Sequence, residues 1–111
     1  MAPTVWYHVR DLEQSRRFYR ETLGFEETAV DFDERWSHLR NGAMEIGLAE
    51  GTPAEEGPVA HVDVDDVKAV ADRLREAGVN VGVVVEIPQG VMRLLDVYDP
   101  DGNRIQLAQE L

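Results

Sequence analysis

Two histidines and an aspartate stand on short runs of alternating character. His8 lies in Thr4-Val5-Trp6-Tyr7-His8-Val9, and His61 and Asp63 share Val59-Ala60-His61-Val62-Asp63-Val64. Side chains alternate along an extended strand, so Thr4, Trp6 and His8 share one face while Val5, Tyr7 and Val9 share the other. In the second run Val59, His61 and Asp63 share a face, opposite Ala60, Val62 and Val64. The more apolar set in each run is the one to bury, which leaves the polar set to line a site. His61 and Asp63 suit a general base, because imidazole titrates near neutral pH and a carboxylate fixes its tautomer. His8 is the third catalytic candidate. The plainer alternative for each histidine is a strand residue with a satisfied hydrogen bond.

Four aromatic side chains, Trp6, Trp36, Phe32 and Tyr98, could stack on a flat ligand. Trp6 is favoured because alternation assigns its face independently; Phe32 reads better as a core residue. Arg93 and Arg104 could clamp an anionic group, although surface ion pairs are the simpler role, above all for Arg104. His38 reads as an exposed strand residue without a role.

The elements that must position these groups come twice. After the first strand, Asp11 is a helix N-cap with Gln14 three residues on, and a helix is expected from Leu12 to about Leu23, ended by Gly24. Strands are expected near 25–32, 35–39 and 43–49, with Asn41-Gly42 as a hairpin turn between the last two. Gly51 to Pro58 is rich in Gly, Pro and Glu and reads as a linker. The order then repeats. A strand over 59–64 leads to a cap at Asp65 or Asp66 and a helix carrying Val67, Val70, Ala71, Leu74 and Ala77. Gly78 ends that helix, and strands follow near 79–85 and 92–98. The turn Asp99-Pro100-Asp101-Gly102-Asn103 then aims a last strand, with Ile105 and Leu107 on one face and Arg104 and Gln106 on the other. The chain is thus a βαβββ unit repeated, of the α+β class, each copy a curved, mostly antiparallel sheet with one helix.

The length of 111 residues fits one compact domain. We expect modules of about 3–50 and 58–110 joined by a linker of about 51–57. A net charge of -11 argues against nucleic acid, an anionic membrane surface and a highly anionic ligand. Without cysteine there is no disulfide, thiol catalysis or zinc–thiolate site. No signal-peptide pattern or long apolar run is seen, so a cytoplasmic location is expected.

Val9-Arg10-Asp11-Leu12-Glu13-Gln14-Ser15, Phe18-Tyr19, Leu23-Gly24-Phe25, Val64-Asp65-Asp66-Val67 and Asp99-Pro100-Asp101-Gly102-Asn103 resemble the glyoxalase, bleomycin-resistance and extradiol-dioxygenase superfamily, the vicinal oxygen chelates. The resemblance covers nearly the whole chain. It implies paired modules curling around a ligand cavity, and a homodimer. In metal-using members it implies one ligand from the first and one from the fourth strand of each module. The first-strand position, seven residues before the cap aspartate, falls on Thr4 and Val59. The last-strand position falls on Gln106, where metal users carry Glu, and its counterpart falls on Gly47, or on Glu45 with a two-residue slip. Val59 and Gly47 offer no donor, which counts against the usual divalent metal. Two readings follow. The first is a small-molecule-binding protein without that metal, by sequestration or metal-independent chemistry, with no cofactor and a site of Thr4, Trp6, His8, Val59, His61, Asp63, Arg93 and Gln106. The second is a metal-dependent lyase, isomerase or dioxygenase using a shifted set of His8, Glu45, His61 and Gln106.

Overall fold

The computed structural model describes residues 4–111; the first residue of the expected opening strand, Pro3, lies outside them. Strand β1 (Thr4–Val9) leads into helix α1 (Leu12–Arg17), whose cap Asp11 accepts a bond from the Gln14 amide at 3.1 Å. Strands β2 (Glu26–Asp31), β3 (Trp36–Asn41) and β4 (Met44–Glu50) complete the first sheet in the order β1-β4-β3-β2. The second unit repeats this with β5 (Ala60–Asp63), α2 (Val67–Glu76), β6 (Val85–Glu86), β7 (Met92–Tyr98) and β8 (Arg104–Glu110), in the order β5-β8-β7-β6. Here Asp66 is the cap, accepting from the Ala69 amide. In both sheets the first strand pairs in parallel with the last, and the other pairings are antiparallel. This is the paired βαβββ architecture expected from the sequence.

Two elements depart from that expectation. The first helix does not run as an α-helix to Leu23. From Phe18 to Thr22 it widens to π-type spacing, closed by the Leu23 amide on the Phe18 carbonyl at 3.1 Å. The widened turn carries fully buried Tyr19 into the core, against Phe18 and Phe25. The run 79–85 is not a continuous strand either. Val81 makes one bridge to Val97, and regular pairing begins only at Val85. The cause is a slip in alternation. Val81 and Val84, three apart, both pack on the core, while Val83 between them is exposed.

The core lies on the helix side of both sheets. Tyr7, Val9, Ile46 and Leu48 of the first unit and Val62, Leu95, Val97 and Ile105 of the second belong to one buried cluster with Leu12, Val67 and Leu74. Burying such side chains contributes roughly 1.5–3 kcal/mol each. Two tyrosines of the first unit fasten it to the second. The Tyr7 hydroxyl donates to the Arg104 carbonyl at 2.6 Å and accepts from the Ala60 amide at 2.8 Å. Burial pushes this phenol up to about 12. The Tyr19 hydroxyl donates to Asp99 at 2.9 Å. Asp99 is the hub of the turn before β8, also accepting from the amides of Asp101 and Asn103 and from the Asn103 side chain. Pro100 and Gly102 (φ 85°) complete that turn.

Candidate functional site

With the apolar faces spent on the core, each sheet shows its other face outward. Register places one row of side chains across the middle of each. In the first sheet Trp6 of β1 stands opposite Gly47 of β4, and Gly47 stands opposite His38 of β3. In the second sheet His61 of β5 stands opposite Gln106 of β8, and Gln106 opposite Asp96 of β7. The rows are equivalents: Trp6 matches His61, Gly47 matches Gln106 and His38 matches Asp96.

The first row is aromatic. The Trp6 indole lies across Gly47, and a Cβ built at Gly47 would collide with the six-membered ring of that indole. Glycine is therefore what lets the indole lie flat on β4. The Trp36 ring meets the Trp6 ring edge-on, with centroids 6.5 Å apart and planes at 76°. The His38 ring is 6.0 Å away and tilted by 41°. His38 Nδ1 lies 3.3 Å from the Thr28 hydroxyl. Despite these neighbours Trp6 keeps 45% of its surface exposed. Two residues along β1, His8 is exposed, its ring against Gly51. At the other end, Thr4 donates to Glu45 at 3.5 Å.

The second row is polar. Gln106 Nε2 donates to Asp96 Oδ1 at 3.2 Å, and Arg104 lies 3.6 Å from the other Asp96 oxygen. His61 and Asp63 are exposed on the same face, and no hydrogen bond joins them among the described residues. They border a shallow cleft of about 230 Å³ whose opposite wall is Asn41 to Met44 of the β3–β4 hairpin. Gln106 and Asp96 border another cleft, of about 180 Å³, with Gly82, Val83, Val85 and Leu94. Val59 lines a third with Tyr98, Arg104 and the linker residues Ala54 to Pro58. The residues singled out from sequence are thus spread over two open faces.

Arg93 stands apart from the rest of that set. It shares a face with buried Leu95 and Val97, on the side of the sheet opposite Asp96, and its Nε donates to Glu86 at 3.0 Å. Phe32 is not a core residue: it is 57% exposed, with the Arg16 guanidinium 4.9 Å above its ring. A turn tip rich in acids holds it out while Arg16 reaches over it. His38 and Asp96 are the site neighbours that the sequence reading passed over. The two turn residues are Gly42 and Ala43, so Asn41 pairs with Met44 and His38 stands opposite Gly47; a turn centred on Asn41-Gly42 would have set His38 opposite Glu45 instead.

Of the family positions Thr4, Gly47, Val59 and Gln106, two carry no donor atom. Among the described residues no group of three His, Asp or Glu side chains comes together to hold an ion.

Two βαβββ sheets sharing a core, with an aromatic and a polar face turned outward, define a scaffold of the paired-module type. The chain belongs to the Glyoxalase/Bleomycin resistance protein/Dioxygenase superfamily, whose model matches residues 3–107. No curated protein gives a significant match. Among solved structures, an integron cassette protein from the mobile metagenome of the Halifax Harbour sewage outfall is similar at 26% identity. It has a TM-score of 0.84 and covers 96% of this chain and 95% of its own. TnmS3, an antibiotic-binding protein from Streptomyces sp. CB03234, is 28% identical with a TM-score of 0.76, over 100% of this chain and 98% of its own. A bleomycin resistance determinant encoded on the transposon Tn5 shares the fold at 19% identity and a TM-score of 0.76, over 97% and 96% of the two chains.

Proposed function

We propose that this chain is a small-molecule-binding member of the superfamily that works without the usual divalent metal, by sequestering its ligand or by metal-independent chemistry. The observation that carries the reading is the Trp6 indole lying over Gly47. At the family's fourth-strand donor position the first unit presents an aromatic surface, and at its first-strand position the second unit presents Val59. A donor set with two members missing is poor for an ion that demands a fixed number and geometry of ligands. The similarity to an antibiotic-binding protein supports the same reading.

In this proposal Thr4, Trp6, Val59 and Gln106 contact the ligand. His61 with Asp63, and His8, are the groups placed to exchange a proton with it. The family resemblance implies a homodimer, and we propose that state for this chain. We place it in the cytoplasm; no helix among the described residues is long and apolar enough to cross a membrane.

Metal analysis of the purified protein, together with calorimetric titration of a panel of antibiotics, tests the proposal. The expected result is no stoichiometric divalent metal and a ligand whose binding is abolished by Trp6→Ala. Stoichiometric metal that is lost in the His8→Ala/His61→Ala double variant would overturn it in favour of metal-dependent lyase, isomerase or dioxygenase chemistry.

A further inference from the structure

We infer that the corner formed by Trp6, Trp36 and His38 is a receptor for a planar aromatic cation; this deepens the proposed binding function and rests on it. The floor of the corner is the Trp6 indole, laid flat on β4 because Gly47 has no side chain. The wall is Trp36, set at 76° to that floor, with the His38 ring on the same face. A flat ring stacking on the floor meets the wall edge-on, and aromatic pairs are favourable in both arrangements. The structure leaves nearly half of the Trp6 surface available for this contact.

Charge selects the ligand's sign. On the same open face Glu45 precedes Gly47 by two residues on β4, roughly 7 Å along the strand, and Asp31 pairs in register with Trp36. The arginine on this face, Arg40, is bound to Glu26 at 3.2 Å. The arginine on the second open face, Arg104, is taken by Asp96. A corner with Glu45 beside its floor and Asp31, which also accepts from the Asp33 and Glu34 amides, beside its wall, and with the nearby guanidinium already paired, attracts a cation through both its quadrupole and its neighbours. An anion of the same shape meets repulsion from the same groups.

Both tryptophans of the protein are in this corner, so indole fluorescence reports on it directly. The test titrates the full chain with three flat bicyclic probes, cationic 1-methylquinolinium, neutral 1-methylnaphthalene and anionic naphthalene-2-sulfonate, by fluorescence and by calorimetry. The expected order is cation tightest, about tenfold over the neutral probe, with the anion weakest. Glu45→Gln is expected to weaken the cation about threefold and leave the neutral probe unchanged. Trp6→Leu is expected to abolish binding, and Gly47→Ala, which displaces the indole without removing it, to weaken all three probes. Circular dichroism confirms that the variants are folded. Trp6-dependent binding of the neutral or anionic probe as tight as the cation overturns the inference while leaving the small-molecule-binding function standing. Binding of no probe, or binding indifferent to Trp6 and Gly47, overturns the aromatic corner; the antibiotic titration and metal analysis then judge the broader function separately.

Discussion

Replacing Tyr19 by Phe removes one hydroxyl and little else. The ring keeps its stacking on Tyr7, at 6.2 Å between centroids, and its edge contacts with Phe18 and Phe25. What is lost is the 2.9 Å bond to Asp99, between two groups that are both buried. A hydrogen bond to a charged acceptor contributes roughly 1.5–3 kcal/mol, and about 2 kcal/mol is expected here. For a chain of this size that lowers Tm by about 8 °C. The effect should depend on pH. Burial raises the Asp99 carboxyl above its ordinary value, against the bonds from Asn103, Tyr19 and Asp101 that favour its charged form. A carboxyl whose folded pKa is raised binds protons more readily in the folded state. Its contribution to stability is therefore full at low pH and falls as pH rises from the ordinary carboxylate value through the raised one. Tyr19→Phe removes a donor that favours the charged form, so that fall becomes larger. The cost should be about 1 kcal/mol near pH 3, below the ordinary carboxylate value, where the bond is to a protonated acid, and about 2 kcal/mol at neutral pH. Urea denaturation at both pH values measures it. A loss below about 0.5 kcal/mol at neutral pH, or an equal loss at both, would refute the assignment of Asp99 as a buried hub held by Tyr19.

A second prediction concerns Arg16, which is buried beneath the first sheet and meets Glu27 through two bonds of 2.7 and 2.6 Å. Arg16→Met should cost about 3 kcal/mol by stranding the carboxylate, and the double variant Arg16→Met/Glu27→Leu should recover most of that; denaturation of both variants checks it. The Arg16 bond holds Glu27 below the ordinary carboxylate range, with help from Ser37. Wild-type stability from this pair is therefore present above the ordinary value and is lost as pH falls through the lowered one, whereas Arg16→Met should show no such loss. Third, Asp11→Ala and Asp66→Ala each remove the side-chain acceptor of a helix N-terminus and should each cost about 1 kcal/mol in thermal or urea unfolding, with additive effects because the caps sit on different helices.

Local rules sufficed wherever one residue decides the backbone. Asp11 and Asp66 cap the helices, and the Asp99–Asn103 turn forms as its chemistry predicts, while the hairpin expected at Asn41-Gly42 turns one residue later, at Gly42-Ala43, with Asn41 paired to Met44. Alternation placed Trp6, His8, His61 and Asp63 on the outward faces because each neighbours side chains that are buried. What was not legible depends on contacts far along the chain. The widening of the first helix at Phe18 accompanies a tyrosine that reaches Asp99, eighty residues away. Arg93 needed the phase of β7, which is set by Leu95 and Val97 packing beneath α2 rather than by anything adjacent to the arginine. Phe32 is apolar and aromatic, the composition of a core residue, yet it sits on a turn tip where Arg16 reaches over it.

The two equivalent rows differ in what occupies the fourth-strand position. In the second unit the fourth-strand position keeps a side chain, Gln106, and spends it on Asp96. In the first unit the position is Gly47, and the space over it is taken by the Trp6 indole from the neighbouring strand. These two states are coupled. A bulky residue at Gly47 is incompatible with the present place of the indole, and a small residue at Trp6 would leave a bare patch of β4 facing solvent. Gly47 and Trp6 therefore act as one unit, and a change at either alone disturbs the packing of the indole on β4. The polar row has no comparable constraint, because His61, Gln106 and Asp96 lie side by side in register on one face. The aromatic side chains Trp6 and Trp36 are thus on the first sheet with His8, and His61 and Asp63 are on the second. A ligand engaging both would present a flat ring to Trp6 and a polar edge to His61 and Asp63.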